Sequence, residues 1–516
     1  MERKAGEDEI IAEEREKAAP SAPHPGKRKR PATDGSPDDA VLSDGVIGSI
    51  LARLPARTAV ACMALSRRHR RLIRSPEFRS LHRRLGAPLP RPHIAYVAKA
   101  PGRLGNWGRV SDFHGFHVAG AGLGGGDAPM RALAGGRYLK KQYINTCNGV
   151  VLLAGAAKSK HPTCVLWNPA VAADDKEVAV PCPPKGSCRI LGLGYGRRSK
   201  IYKLLLWRRW RLECEPPKKL YSKELLVYTL GRAQEQPRSL MVFPAGMSGA
   251  ITPESLYLDG TIYILHDCRT SVVIAFDVDD ETVTTIDMPG ERDPDWPWHA
   301  RSTLMEMSGR LCVATNHGHH RAALWLLTAD RRWEQRCVLG DERHVDNEDD
   351  GPSADRCQMA GVWDCDSVLA MYLDFRIGDY DKMCLYHVAN GEMFKAELPR
   401  DLTPEREDFA MCWGYKPTLV SPGSIVGDEL GQDESRRDQM ADIMEALKLA
   451  SEKDKRKGHE ETLFTVSFME FMVRIMRRLP DRMQDVLEMP MLNPGDSGLF
   501  FENASFSRMQ HIYLTN

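Results

Sequence analysis

The chain has 516 residues, with 71 Lys or Arg against 70 Asp or Glu. The length exceeds what one ordinary core supports, so two or three domains are expected. A net charge of +1 argues against nucleic-acid binding over the whole protein and leaves room for local basic patches.

No stretch reaches the roughly 18 apolar residues of a membrane span, so no membrane partner is expected. The 13 cysteines are scattered without a Cys-x-x-Cys pair, which matches neither a disulfide framework nor a zinc-finger spacing. The opening MERKAGEDEIIAEEREK lacks the apolar core of a secretory signal, and a reducing compartment, nucleus or cytoplasm, is predicted.

Residues 1–38 are charged, bear prolines and lack aromatics, the composition of a disordered tail. Within them Lys27, Arg28, Lys29 and Arg30 form the basic run of GKRKRP, read as a nuclear-import signal or else as solvated tail.

From 39 to 86 a small all-helical unit is predicted. Ser43 can cap a helix with an apolar stripe of Val46, Ile47, Ile50, Leu51 and Leu54, which Pro55 stops. Thr58 can cap a second helix carrying Val60, Met63, Ala64 and Leu65. Ser75 followed by Pro76 opens a further helix that runs to Leu85, with Gly86 as its stop. So short a unit buries too little surface to stand alone and needs a partner for its apolar stripe.

The stretch from Leu42 to Phe78 resembles an F-box, the segment that docks on the Skp-family adaptor of cullin-RING ubiquitin ligases. The residues that fit the family's pattern are Leu42, Ile47, Ile50, Leu51, Leu54, Pro55, Leu65, Ser66, Leu72, Ile73, Pro76 and Phe78. Ser43 stands where the first proline is usual, and His69 where tryptophan is usual. The resemblance implies that these residues, Ser66 apart, form the adaptor-binding set, with Ile50 and Leu51 as anchors and Leu54 and Pro55 ending the adaptor-facing helix. The basic run SRRHRRLIR reads as a solvated helix face interrupted by Leu72 and Ile73, and no nucleic-acid partner is expected.

Residues 87–142 read as a linker with first weak strands. HIAYVA has strand character, and the glycine cluster around 119–126 lacks the Gly-Lys-Ser/Thr ending of a phosphate loop. From 143 to 422 short strands alternate with turn dipeptides, including Asn148-Gly149, Asp259-Gly260 and Asn390-Gly391. Five passages repeat one plan. Their aromatic strands centre on Trp167, Tyr228, Phe276, Trp325 and Tyr386, at intervals of 61, 48, 49 and 61 residues. Kelch-type propeller blades repeat at about 50 residues, so an all-β propeller of six or seven blades is predicted. Its missing strands are sought near His93–Ala98, within the long intervals, or in DFAMCWGYKPTLV. Trp167, Phe276 and Trp325 are expected in blade cores.

These blades resemble the plant F-box-associated domain. Its hallmarks stand here as Cys147-Asn148-Gly149, Trp167-Asn168-Pro169, Gly192-Leu193-Gly194-Tyr195 and Tyr202-Lys203. Residues 423–516 are read as a helical extension. One helical face carries Met440, Ile443, Met444 and Leu447, and another carries Phe464, Phe468, Phe471, Met472, Ile475, Met476 and Leu479. Both are expected to pack on the propeller or on each other, or to offer a methionine-rich partner groove.

No catalytic constellation emerges. NHGHHR (Asn316 to Arg321) has three histidines without a carboxylate or cysteine to complete a metal site, and GLGYG precedes a strand rather than the helix of a dinucleotide fingerprint. Neither a cofactor nor a metal is expected, and Cys62 in an apolar helix is no ligase nucleophile. The resemblance to both families implies a non-catalytic receptor subunit. Its F-box would dock the Skp-family adaptor and through it a cullin-RING ligase, while its propeller binds an unnamed target. The alternatives are a propeller enzyme or carbohydrate-binding protein with a helical cap, or an F-box scaffold outside the ligase.

Overall fold

The computed structural model describes residues 42–86, 94–103, 109–118, most of 141–427 and parts of 465–509. The charged tail with Lys27, Arg28, Lys29 and Arg30, the glycine cluster, the helix expected around Met440–Leu447 and the NHGHHR histidine side chains lie outside the described residues.

Four short helices form first: α1 (Asp44–Leu51), α2 (Ala56–Cys62), α3 (Arg67–Arg74) and α4 (Pro76–Leu85). Serine hydroxyls cap three of them, accepting from an N–H three residues on: Ser43 from Val46, Ser66 from His69 and Ser75 from Phe78. One boundary differs from expectation. The first helix ends at Leu51, and Pro55 sits at the N-cap of α2, so Thr58 lies inside that helix instead of capping it. Proline has no N–H to lose at a helix entry, where it fits better than as a mere stop. The unit's core is Leu51, Ala52, Ala56, Ala59, Ile73 and Phe78, completed from elsewhere in the chain by Ala170 and Leu419.

Five antiparallel sheets follow, each built on four consecutive strands, and the last gains a fifth strand from further along the chain. They are β3 (Lys141–Cys147), β4 (Val150–Gly155), β5 (Thr163–Trp167) and β6 (Asp175–Ala179); β7 (Ser187–Tyr195), β8 (Tyr202–Arg211), β9 (Tyr221–Thr229) and β10 (Arg238–Phe243); and β11 (Ala250–Leu258), β12 (Thr261–Asp267), β13 (Val272–Asp277) and β14 (Val283–Asp287). Next come β15 (Thr303–Met307), β16 (Arg310–His317), β17 (Arg321–Leu327) and β18 (Trp333–Leu339), then β19 (Cys357–Cys365), β20 (Val368–Phe375), β21 (Asp381–His387) and β22 (Met393–Leu398). The five aromatics that marked the repeat all fall on the third strand of their sheet. First hairpins turn on positive-φ pairs, Asn148 (49°) with Gly149 (75°) and Asp259 (51°) with Gly260 (95°), as two-residue turns require.

The sixth sheet joins distant parts of the chain. The strands expected to be weak become β1 (Ala95–Arg103) and β2 (Arg109–Val118), and β23 (Phe409–Met411) pairs with β1 in the register Tyr96↔Met411 and Ala98↔Phe409. Six sheets therefore stand in a ring, with the C-terminal strand completing the N-terminal blade. An apolar cluster fills every junction. Examples are Val97 with Leu153 and Cys412, Leu265 with Val313, and Met307 with Leu369. Arranging the sheets in a ring turns their inner edges toward the axis, where they are shielded from pairing with a second chain.

At the junction between the first two full sheets, Asn145 is wholly buried. Its amide donates to the Leu193 carbonyl at 2.9 Å and accepts from the Leu193 N–H at 3.0 Å, as a neighbouring strand would. Gly192 and Gly194 let β7 approach the next sheet. A Cβ on Gly194 would lie 2.9 Å from Ile262 Cδ1, and one on Gly192 would lie 2.8 Å from Ser255 Oγ. The glycines of GLGYG serve packing.

Trp167 and Phe276 are buried as expected, but Trp325 is only half-buried, with its indole N–H donating to Thr315 Oγ1 at 3.0 Å. The buried Thr315 hydroxyl thus anchors the polar edge of a ring that is not itself fully buried. In the C-terminal region Phe468, Met469, Phe471, Met472, Ile475, Met476 and Leu479 pack against Tyr96, Trp363, Tyr372 and Leu385, so this helical stretch covers the propeller. The extension is not wholly helical. Besides α5 (Pro422–Val426) and α6 (Met483–Leu487) it holds β24 (Leu492–Asn493), β25 (Phe500–Phe501) and β26 (Ser507–Met509), and β26 adds to the outer edge of β22. Cys182 and Cys188 form a disulfide, a departure from the expectation of reduced thiols throughout.

Candidate functional site

The helical unit presents an apolar surface. Among the described residues the exposed large hydrophobics are Leu42 (52%), Val46 (44%), Ile50 (52%), Leu65 (67%) and Val242, and all but the last belong to this unit. Leu42, Val46 and Ile50 follow helical spacing at the start and outer face of α1. Arg68 holds the start of α1 against α3, pairing with Asp44 at 2.6 Å and donating to the Leu42 carbonyl at 2.7 Å. Leu65, just before α3, thus belongs to the same small unit.

The residues of the predicted adaptor-binding set divide by burial. Leu42, Ile50, Pro55, Leu65 and Pro76 are exposed, while Ile47, Leu54 and Leu72 are half-buried. Leu51 (8%), Ile73 (0%) and Phe78 (2%) are buried in the unit's own core and offer no surface to a partner, so Leu51 is a core residue and not an anchor. Val46 is exposed but outside the predicted set; its place in the apolar stripe of α1 was the signal for it. His69, in the position usually held by tryptophan, is half-buried, with its Nδ1 2.8 Å from Ser66 Oγ. Of the basic run, Arg67, Arg70, Arg71 and Arg74 are exposed, one solvated stripe at helical spacing.

The unit is seated on one face of the ring. Arg83 donates to the Tyr195 hydroxyl at 2.7 Å, with its guanidinium 4.8 Å from the ring centre. Tyr195 packs on Tyr202 at 4.7 Å, and Tyr202 accepts from Asn148 Nδ2 at 3.3 Å. The segment after β23 crosses this face and is clamped there. Asn168 donates to the carbonyls of Thr418 (2.9 Å) and Val420 (2.6 Å), and Thr418 Oγ1 donates to the Asn148 carbonyl. Gly149 leaves room for the crossing, since a Cβ there would lie 2.6 Å from the Lys416 carbonyl. Leu419 of the same segment enters the helical core.

His82 lies at the heart of the unit, its Nε2 3.0 Å from the Leu54 carbonyl. Burial lowers its pKa below 6.5, partly opposed by that hydrogen bond, so the neutral ring donates Nε2–H. Thiols in the ring are inert: burial pushes Cys164, Cys337 and Cys365 up to about 12. Among the described residues no group of three His, Cys, Asp or Glu side chains could hold a metal ion, and no helix is long and apolar enough to cross a membrane.

Residues 133–360 match the F-box associated beta propeller domain. That stretch is an F-box-associated domain, and the chain is similar to plant F-box proteins that carry one. An F-box protein of Arabidopsis thaliana, At1g70380, is 23% identical over 309 residues, which are 56% of this chain and 75% of that protein. Among solved structures, the allergen Mala s 1 of Malassezia sympodialis is 11% identical with a TM-score of 0.27, over 50% of this chain and 78% of that one. A fucose-bound lectin of Aleuria aurantia is 8% identical with a TM-score of 0.29, over 58% and 93%. Scores this low support no inference. Within the F-box-associated domain, the hallmark residues Asn148, Gly149, Asn168, Tyr195 and Tyr202 converge on the F-box seat. Lys203, another hallmark, ties the second full sheet to the third through the Val278 carbonyl (2.6 Å) and Glu281 (2.8 Å).

Proposed function

We propose that this protein is the substrate-recognition subunit of a Skp-cullin-F-box ubiquitin ligase. The observation that carries the reading is the apolar surface of Leu42, Val46, Ile50 and Leu65, uncovered on a unit too small to leave it so without a partner. A Skp-family adaptor covers that surface and links the chain to a cullin-RING ligase. The propeller, seated against the F-box through one face, turns its opposite rim, with the β4–β5 and β8–β9 connections, toward a target protein. The chain itself transfers nothing. It contributes proximity, holding target lysines beside the charged conjugating enzyme. Its inert thiols suit a receptor that is not itself a catalyst.

Co-purification tests the reading. Full-length protein should co-elute with a purified Skp-family adaptor, and separate elution would refute it. Capture of the adaptor without cullin would instead favour a scaffold outside the ligase. We further propose that the protein works in the nucleus or cytoplasm, with Lys27 to Arg30 driving import. A fluorescent fusion with those four residues changed to Ala should lose nuclear signal; an unchanged distribution would return the run to plain tail.

A further inference from the structure

At the rim away from the F-box the second full sheet carries several cationic side chains. Its strands β8 and β9 are ten and nine residues long, against six and five for β4 and β5 in the preceding sheet. The register pairs Arg189 with Trp207, Arg209 with Lys223 and Arg211 with Tyr221. Side chains alternate across a strand, so Arg189, Trp207, Arg209, Arg211, Tyr221 and Lys223 share one face. That face turns toward the following sheet, because Arg189 donates to the Ile251 carbonyl at 2.7 Å and Trp207 lies 6.4 Å from His266.

On the opposite face Arg208 is satisfied by Glu224 at 3.1 Å and lies 4.8 Å over the Trp210 ring. Glu224 is thereby committed. Arg209 lies 3.7 Å over the Tyr221 ring, and its Nε is covered without a hydrogen-bond partner. No described carboxylate pairs with Arg209 or Arg211. The stack fixes one guanidinium in place with its Nη groups as donors, while Arg211 beside it is exposed.

We propose that the far end of the β8–β9 hairpin is a target-gripping element, and that it takes a peptide segment bearing closely spaced carboxylates. A planar guanidinium held by an aromatic ring offers two parallel donors to a carboxylate with little further ordering to do. Nucleic acid fits less well, since the faces of Tyr221 and Trp210 that could stack on bases are occupied by Arg209 and Arg208. The inference rests on the propeller being the target-binding module.

The test uses the full-length protein and a fluorescein-labelled oligoglutamate peptide, read by anisotropy, with oligoglutamine of equal length as control. The acidic peptide should bind and the neutral one should not, with affinity falling as salt rises. Arg209→Gln with Arg211→Gln should weaken binding by about tenfold or more, with the melting temperature and adaptor binding unchanged. Arg67→Gln with Arg70→Gln, on α3, should leave peptide binding as it was. Undiminished binding in the hairpin variant overturns the proposal, as does loss of binding in the α3 variant instead. Tighter binding of single-stranded DNA of equal charge also overturns it. Where the double variant melts early, Arg211→Gln alone decides, because that side chain is exposed, and unchanged affinity again overturns the proposal. Adaptor binding that fails while peptide binding holds bears on the ligase reading alone.

Discussion

Ile50 and Leu51 are adjacent in sequence and opposite in role, and their separate truncation distinguishes a docking surface from the core beneath it. Complete burial of an aliphatic side chain contributes about 1.5–3 kcal/mol. Ile50 is 52% and Leu65 67% exposed, so covering what remains of each contributes about 1–2 kcal/mol. Ile50→Ala with Leu65→Ala should therefore remove about 2–3 kcal/mol of adaptor binding, a Kd weaker by about 30- to 150-fold. The melting temperature should hardly move, since neither side chain fills the core. Leu51, 8% exposed among Ala52, Ile73 and Phe78, behaves otherwise. Leu51→Ala leaves a cavity costing about 2–5 kcal/mol of F-box stability, visible as early melting of the helices before any partner is added. Calorimetric titration of the adaptor, paired with thermal melts, separates the two effects. An Ile50/Leu65 variant that melts normally and binds with parental affinity would refute the assignment of that surface.

Other consequences concern the ring and the seat. Asn145→Leu strands the buried N–H and carbonyl of Leu193 and should cost about 2–6 kcal/mol, read by denaturant unfolding; a loss below 1 kcal/mol, roughly the net worth of one ordinary hydrogen bond, would show that the amide does not hold the blades. Phe276→Ala, at a fully buried site, should cost about 3–5 kcal/mol, and half-buried Trp325→Ala distinctly less; equal losses would contradict the burial difference. Because His82 is held below its unfolded value of 6.5, its contribution is complete above that pH and is lost as pH falls through the folded value. His82→Gln should flatten this acid-side decline in F-box melting temperature, and an unaltered slope would place the titrating group elsewhere.

Patterns with a short physical period were legible in the sequence. The Ser43 and Ser75 caps, the α1 stripe from Val46 to Leu51 and the positive-φ pairs Asn148-Gly149 and Asp259-Gly260 report on neighbours within a few residues and stand as read, whereas Leu54 lies beyond α1 and only Gly391 of Asn390-Gly391 has a positive φ. Pairings across the chain were harder to see. DFAMCWGYKPTLV was one of several candidates for a missing strand, and only the structure pairs Phe409–Met411 with Ala95–Arg103 across some three hundred residues of chain. The hallmark motifs showed a family but not their task, because Asn168 acts on backbone 250 residues away. The division of the adaptor-facing residues was likewise invisible. Leu51 and Ile50 are both aliphatic, and a difference of about 100° around a helix decides which faces inward. Trp325 misled for a related reason, since apolar strand neighbours do not reveal a hydroxyl on the adjacent strand.

Entry of this chain into a ligase through its F-box is read out by complex assembly. Purified full-length protein, a Skp-family adaptor and a cullin are mixed and analysed by size-exclusion chromatography with light scattering. A single species with the summed mass of one copy of each is expected, falling apart into free receptor and adaptor–cullin when Ile50 and Leu65 are replaced by Ala. Elution of the parent protein alone, beside an intact adaptor–cullin complex, would contradict it.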